Sequence, residues 1–218
     1  MRLHFRLSSN DVIVPFNYMD VLIKTFHKWM GWNDIHDDIS LYSLSWLQRG
    51  QSKAGGLNFP NGSVWFISSW DENISKRILS NAIKNYNIGW GMQIIEIQIQ
   101  DTPDFSIKEK FNVASPVFIR KYDQNNRAIH LTLKDKDVDH FLTQTLKRKL
   151  QKANLNVPVK VSFDKDYPNP KTKLVKISGI DNRAIVCPII IEGSPEAVQF
   201  AWNVGVGHLT GCGFGSLY

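Results

Sequence analysis

A chain of 218 residues with 43% hydrophobic content is long enough for one large domain or two small ones, each with a proper core, and reads as a globular protein. Its 26 Lys and Arg against 20 Asp and Glu leave a net charge of +6, which favours polyanions without demanding them. Two cysteines, Cys187 and Cys212, provide neither a disulfide framework nor a four-ligand zinc site. The longest apolar run, around "AIVCPIII", is far short of the roughly 20 residues a membrane-spanning helix needs, so a cytoplasmic protein without a membrane partner is expected.

The first segment, "RLHFRL" from Arg2, alternates so that Leu3, Phe5 and Leu7 share one face, the pattern of a half-buried strand. Phe16, Met19, Leu22, Ile23, Phe26 and Met30 then recur at helical spacing, with Gly31 placed as a C-cap. "SLYSLSWL" and "SVWFISSW" read as strands on either side of the glycine-rich "RGQSKAGGLNFPNG". Ser69 to Asp71 offers N-cap chemistry to a helix striped by Ile74, Ile78, Leu79, Ala82 and Ile83, and "GMQIIEIQIQ" restores period-two alternation. The order is β-α-β-β-α-β, that of a ferredoxin-like unit.

The second half repeats that order with an added hairpin. "SPVFIRKY" and "AIHLTL" are expected strands, followed by a helix from about Lys136 to Leu155 with Val138, Phe141, Leu142, Leu146 and Leu150 inward. "VPVKVSF", "KLVKISG" and "RAIVCPIIIEG" read as three more strands. "SPEAVQFAWN" is a helix with Ser194 as N-cap and Pro195 at its first position, and "CGFGSLY" is the final strand. The fold class is therefore α+β, two tandem ferredoxin-like domains of the RRM/RAMP type, over residues 1–110 and 111–218.

Positive charge is concentrated: from Lys147 to Arg183 there are ten Lys or Arg against three Asp. Lys147, Arg148 and Lys149 end the long amphipathic helix and are candidates to hold a polyanion. The terminal stretch "NVGVGHLTGCGFGSLY" holds five glycines between Gly205 and Gly215, a density that implies something lying close against the backbone. A dinucleotide fingerprint needs a strand before its glycines and a helix after them. Here the order is reversed, and no nucleotide cofactor is expected.

Gly205-Val-Gly207, five residues, then Gly213-Phe-Gly215, between a helix and the last strand of a second ferredoxin-like unit, resembles the C-terminal signature of the RAMP proteins. The chain is similar in particular to the CRISPR-associated repeat-processing endoribonucleases, the Cas "six" family. The resemblance runs over the whole chain through "LYSLSWL", "WFISSWDENISKRILSNAI", "ASPVFIRK" and the terminal loop. It implies that the chain cleaves CRISPR repeat RNA (pre-crRNA) to crRNA, and that the glycine loop, Gly205, Gly207, His208, Gly213 and Gly215, lays its amides against RNA phosphates. A homodimer and a CRISPR effector complex are partner states it leaves open. The alternative is a non-catalytic RAMP-type RNA-binding subunit of such a complex.

RNA cleavage without a metal uses the RNA's own 2′-hydroxyl as nucleophile, and an imidazole with an ordinary pKa of about 6.5 suits the proton transfers. No metal or other cofactor is expected. His4 and His130 fall on polar strand faces and His140 on the polar side of a helix. His36 lies in "NDIHDD", between the first helix and "LYSLSWL", where the resemblance places the catalytic histidine. His27, near the position of a second active-site side chain, is the other catalytic candidate. Family members often carry a lysine just after that histidine, but Asp37 and Asp38 stand there. Arg49 and Lys53 in the following hairpin, or Lys28 beside His27, are the candidates to supply the charge.

Overall fold

The structure, a computed structural model, describes residues 1–31 and 39–218. Its first half runs β1 (Arg2–Leu7), β2 (Val14–Pro15), α1 (Met19–Met30), β3 (Tyr42–Leu44), β4 (Gln51–Lys53), β5 (Gly56–Asn58), β6 (Ser63–Ser69), α2 (Glu72–Ala82), β7 (Asn87–Gly89) and β8 (Met92–Gln100). The antiparallel sheet has the order β3-β6-β1-β8-β7. Taking β1, β3, β6 and β8 as the four strands of the repeat, the order is second, third, first, fourth, the ferredoxin-like arrangement. Leu3, Phe5 and Leu7 are buried beneath α1 and α2, as their alternation requires.

α1 ends where Gly31 takes φ 65° and donates its amide to the His27 carbonyl, and α2 begins where the Asp71 carboxylate accepts from the Asn73 amide at 2.8 Å. Phe16 is not part of α1: it is 63% exposed, in a turn closed by a bond from the Tyr18 amide to the Pro15 carbonyl. The glycine-rich stretch after Arg49 is itself a hairpin, β4-β5, extended to three strands by β2.

The second half runs β9 (Lys108–Phe111), β10 (Arg120–Tyr122), β11 (Ala128–His130), α3 (Val138–Lys152), β12 (Val159–Phe163), β13 (Lys171–Ile177), β14 (Ile180–Val186), β15 (Ile189–Gly193) and α4 (Pro195–Val204), then a single 3₁₀ turn over Thr210–Cys212. Its sheet has the order β12-β15-β9, and a Val113–Leu217 bridge stands beyond β9 in the place of the fourth strand. The ferredoxin-like order thus recurs, with β10-β11 and β13-β14 as added hairpins.

Three expected strands change form. "RAIVCPIIIEG" breaks at Cys187-Pro188 into β14 and β15, which pair with different partners, because proline has no amide to continue a ladder. "SPVFIRKY" forms isolated bridges at Val117 and Phe118 and a strand only at its end, and β9 upstream of it occupies the first-strand position. "CGFGSLY" keeps only an edge in which the Ala114 amide donates to the Ser216 carbonyl and the Tyr218 amide to that of Asn112.

The two halves share their interior. Phe118, Ile177, Ala184 and Phe214 of the second half join the core of the first. Arg2 is 3% exposed: its guanidinium carbon lies 4.1 Å from the centre of the Phe66 ring and 3.6 Å from that of Trp202. It donates to Ser68 Oγ and to the Trp202 and Leu217 carbonyls. Burial pushes it down to about 9. The Met1 amino group and Thr102 converge on Asn203, and Ser43 Oγ lies 3.3 Å from Ser216 Oγ. Among the described residues, no helix is long and apolar enough to cross a membrane.

Candidate functional site

A cleft of about 320 Å³ opens where the last turn of α1, the entry to β3, α3 and the terminal loop meet. His27 comes to it from α1, Ser40 and Tyr42 from the entry to β3, Arg148 and Lys149 from α3, and His208 and Thr210 from the loop. No carboxylate lines it among the described residues. His36 lies outside the described residues, three positions before Ile39, which lines the cleft.

The expected cluster Lys147, Arg148 and Lys149 is divided. Successive helical residues point about 100° apart, so three in a row cannot share one face. Lys147 and Arg148 are exposed, Arg148 at the cleft and Lys147 over a separate hollow beside Gln151 and Asn156. Lys149 is 4% exposed, which counts against its place beside Lys147 and Arg148 among the residues expected to hold a polyanion. Its ammonium donates to Thr210 Oγ1 at 2.7 Å, the Val204 carbonyl at 3.0 Å and the Gly205 carbonyl at 3.4 Å. Burial pushes it down to about 7. The three oxygens, matching the three donors of an ammonium, oppose that shift.

His208 is held by the Arg120 amide, which donates to its Nδ1 at 3.4 Å, so the neutral ring carries its proton on Nε2. Burial first, then the charges of Arg120, Lys149 and Arg148, pushes it down to about 4. At neutral pH it is an uncharged N–H donor. Tyr42 stacks on Phe26 at 4.6 Å, and burial pushes its hydroxyl up to about 12, against a hydrogen bond with Ser40.

The glycine loop answers to the protein's own backbone. The Gly205 amide donates to the Ala201 carbonyl, that of Gly213 to Thr210 and that of Gly215 to Pro116, while the Val206 amide donates to the Gly215 carbonyl. These three glycines therefore do not present bare amides, correcting that expectation. A Cβ at Gly207 would lie 2.7 Å from the Phe118 carbonyl, so the close neighbour there is also protein. Of the four, Gly207 lines the cleft, together with His208.

Arg49 and Lys53 are exposed and line no part of the cleft. His4 pairs through Nε2 with Gln100 at 2.8 Å, and His130 accepts the Arg183 amide at 3.3 Å, both away from the cleft. Tyr42, Arg120 and Thr210 escape a reading of the sequence. Their places are set where strand, hairpin and loop cross, and the adjacent basic residues of "FIRKY" are the one local signal that could have marked Arg120.

Residues 99–218 match the family model for CRISPR associated protein Cas6, C-terminal. Among solved structures, the product of a Cas6-related gene from Pyrococcus furiosus superposes with a TM-score of 0.87 at 17% identity, covering 100% of this chain and 97% of that one. A RAMP protein described as binding different RNA substrates gives 0.84 at 19% identity, covering 100% and 98%. A Cas6 product complex gives 0.69 at 13%, covering 100% and 99%. No curated protein matches the sequence significantly. With more than half of its length matched by the family model and the same fold over all of it, the chain belongs to the Cas6 family of CRISPR-associated proteins.

Proposed function

We propose that the chain is a metal-independent endoribonuclease that cuts CRISPR repeat RNA, pre-crRNA, to crRNA in the cleft between its two ferredoxin-like units. The observation that carries this reading is the lining: His27, His208, Arg148 and Lys149 converge with no carboxylate among the described residues. Cations and imidazole N–H groups without counter-charges suit a phosphodiester, and the Cas6 relatives include a product complex.

In this mechanism the 2′-oxygen attacks the adjacent phosphorus, its proton passes to a base, and the bond from phosphorus to the 5′-oxygen breaks as that oxygen is protonated. The products are a 2′,3′-cyclic phosphate and a 5′-hydroxyl. His36, three residues along the chain from the cleft-lining Ile39, is the principal proton-transfer group, and His27 assists. His208, held neutral, donates from Nε2 to a phosphate oxygen, and Arg148 takes the role of charge stabiliser.

Repeat RNA from the host array is cut at one position in EDTA, and a single 2′-deoxy substitution there abolishes cutting, as product-end analysis on a denaturing gel reveals. Cutting only after Mg²⁺ is added would refute the mechanism. RNA that binds tightly and stays whole would instead assign the chain to the non-catalytic RNA-binding subunits. Arg148→Ala weakens RNA binding and flattens the plot of log affinity against log salt by about 0.7 to 0.9, the increment of one phosphate contact. An unchanged slope in a filter-binding titration would remove Arg148 from the RNA path.

A further inference from the structure

We infer that Lys149 is a positioning residue of the cleft, which grips the terminal loop at both ends and thereby sets His208, without itself touching RNA. The inference rests on the proposed function. A lysine is almost never fully buried unless paired, and this one has no carboxylate: its three bonds go to Val204 and Gly205 carbonyls and to Thr210 Oγ1. Val204 and Gly205 are the C-terminal end of α4, where carbonyls lack intrahelical donors and the helix dipole favours a cation. α3 thus caps α4 through one side chain.

The same ammonium reaches across the loop. Thr210 Oγ1 accepts from Lys149 and donates to the Tyr42 carbonyl at 2.9 Å, which ties the second half to β3 of the first. Between the two gripped points lie Val206, Gly207, His208 and Leu209. Leu209 has φ 57° and ψ 35°, a left-handed conformation that a branched side chain adopts only when its surroundings impose it. Its neighbour His208 is thereby directed so that its amide donates to the Phe118 carbonyl at 2.8 Å and its Nδ1 accepts from Arg120. The ammonium links the carbonyls of residues 204–205 to the Thr210 hydroxyl, beside the packing of the Thr210 methyl against Gly205.

The surroundings supply no counter-charge, so the three accepting oxygens are what hold the ammonium. Arg148 on its own helix, His27 and Tyr42 from the first half and Cys212 in the loop line the same cleft, and the charge of Arg120 reaches His208. None is an anion at neutral pH that would neutralise an ammonium. A phosphate in the cleft meets the potential of Lys149, while the donors of Lys149 are already taken.

The test compares Lys149→Met, Thr210→Val and Arg148→Ala with wild type. It reads single-turnover cutting at saturating enzyme, the salt dependence of RNA affinity, and amide hydrogen exchange at Val206 and His208 without RNA. A positioning role predicts that Lys149→Met slows cutting by at least about 10-fold, since small misplacements near the reacting atoms cost up to about 10²-fold. Its salt slope stays at the wild-type value and both amides exchange faster. Thr210→Val follows in the same direction, and it carries the test if Lys149→Met does not fold. Arg148→Ala shows the reverse, a smaller slope with exchange unchanged. A reduced slope in Lys149→Met with unchanged exchange would overturn the inference in favour of direct phosphate contact, and so would wild-type cutting and exchange in both variants. If wild type leaves RNA uncut the functional reading falls, while the exchange comparison, made without RNA, still decides whether Lys149 pins the loop.

Discussion

His36→Ala lowers the single-turnover rate of repeat-RNA cleavage by at least about 10²-fold while RNA affinity changes little, because a proton-transfer group acts in the transition state and contributes little to ground-state binding. The reasoning is positional. His36 lies on the chain between α1, whose last turn brings His27 to the cleft, and Ile39, which lines it. His27→Ala falls between His36→Ala and wild type. The other imidazole of the cleft is not an alternative acid: His208 is pushed down to about 4 and bears its proton on Nε2 at neutral pH. Rates for His36→Ala, His27→Ala and His208→Ala at saturating enzyme check this, the last expected to lose less than His36→Ala. A fully active His36→Ala would move the general base to His27.

Gly215→Ala unfolds the protein at a temperature lower by roughly 10 °C, as a thermal melt would show. At φ 61° a side chain is strained, and the added Cβ would press into the Val206 carbonyl, which is backbone and has no room to yield. A left-handed non-glycine residue costs about 1–2 kcal/mol and overpacking about 1–3 kcal/mol more, and in a chain of this length each kcal/mol shifts the midpoint by about 2–4 °C. Gly55→Ala is the control, since φ is positive there too, at 84°, but nothing lies within 4 Å of the added carbon. Its cost is the strain alone. Equal losses in the two variants would mean that conformational strain, and not the crossing of residues 206 and 215, makes the loop glycine-rich.

The contrast between these two glycines marks how far the sequence carries. A dense run of glycines implies a close neighbour, and that was legible. The identity of the neighbour was not, because the bridged residues Val117 and Phe118, Pro116 and the loop itself come together only after two sheets and α4 have packed. RNA was the expected neighbour for Gly205, Gly213 and Gly215; the same chain is the observed one, its backbone at Gly205 and Gly215 and the Met19 side chain at Gly213.

Periodicity determined most of the rest. The spacing of Met19, Leu22, Phe26 and Met30, the caps at Gly31, Asp71 and Ser194, and the alternation of Leu3, Phe5 and Leu7 are local properties, read by short-range sterics and by one buried face. From them the tandem β-α-β-β-α-β order follows, because each element has one apolar face and few ways to cover it. Tertiary structure decided what depends on distant partners: that β9 and not "SPVFIRKY" takes the first-strand place, that Pro188 divides one apolar run between two sheets, and that Lys149 turns inward to cap α4 while Lys147 and Arg148 stay in water. A lysine in a basic run carries the same local signal on either side of a helix. Which side becomes buried depends on what packs there, and for α3 that is the end of a helix some fifty residues further along the chain.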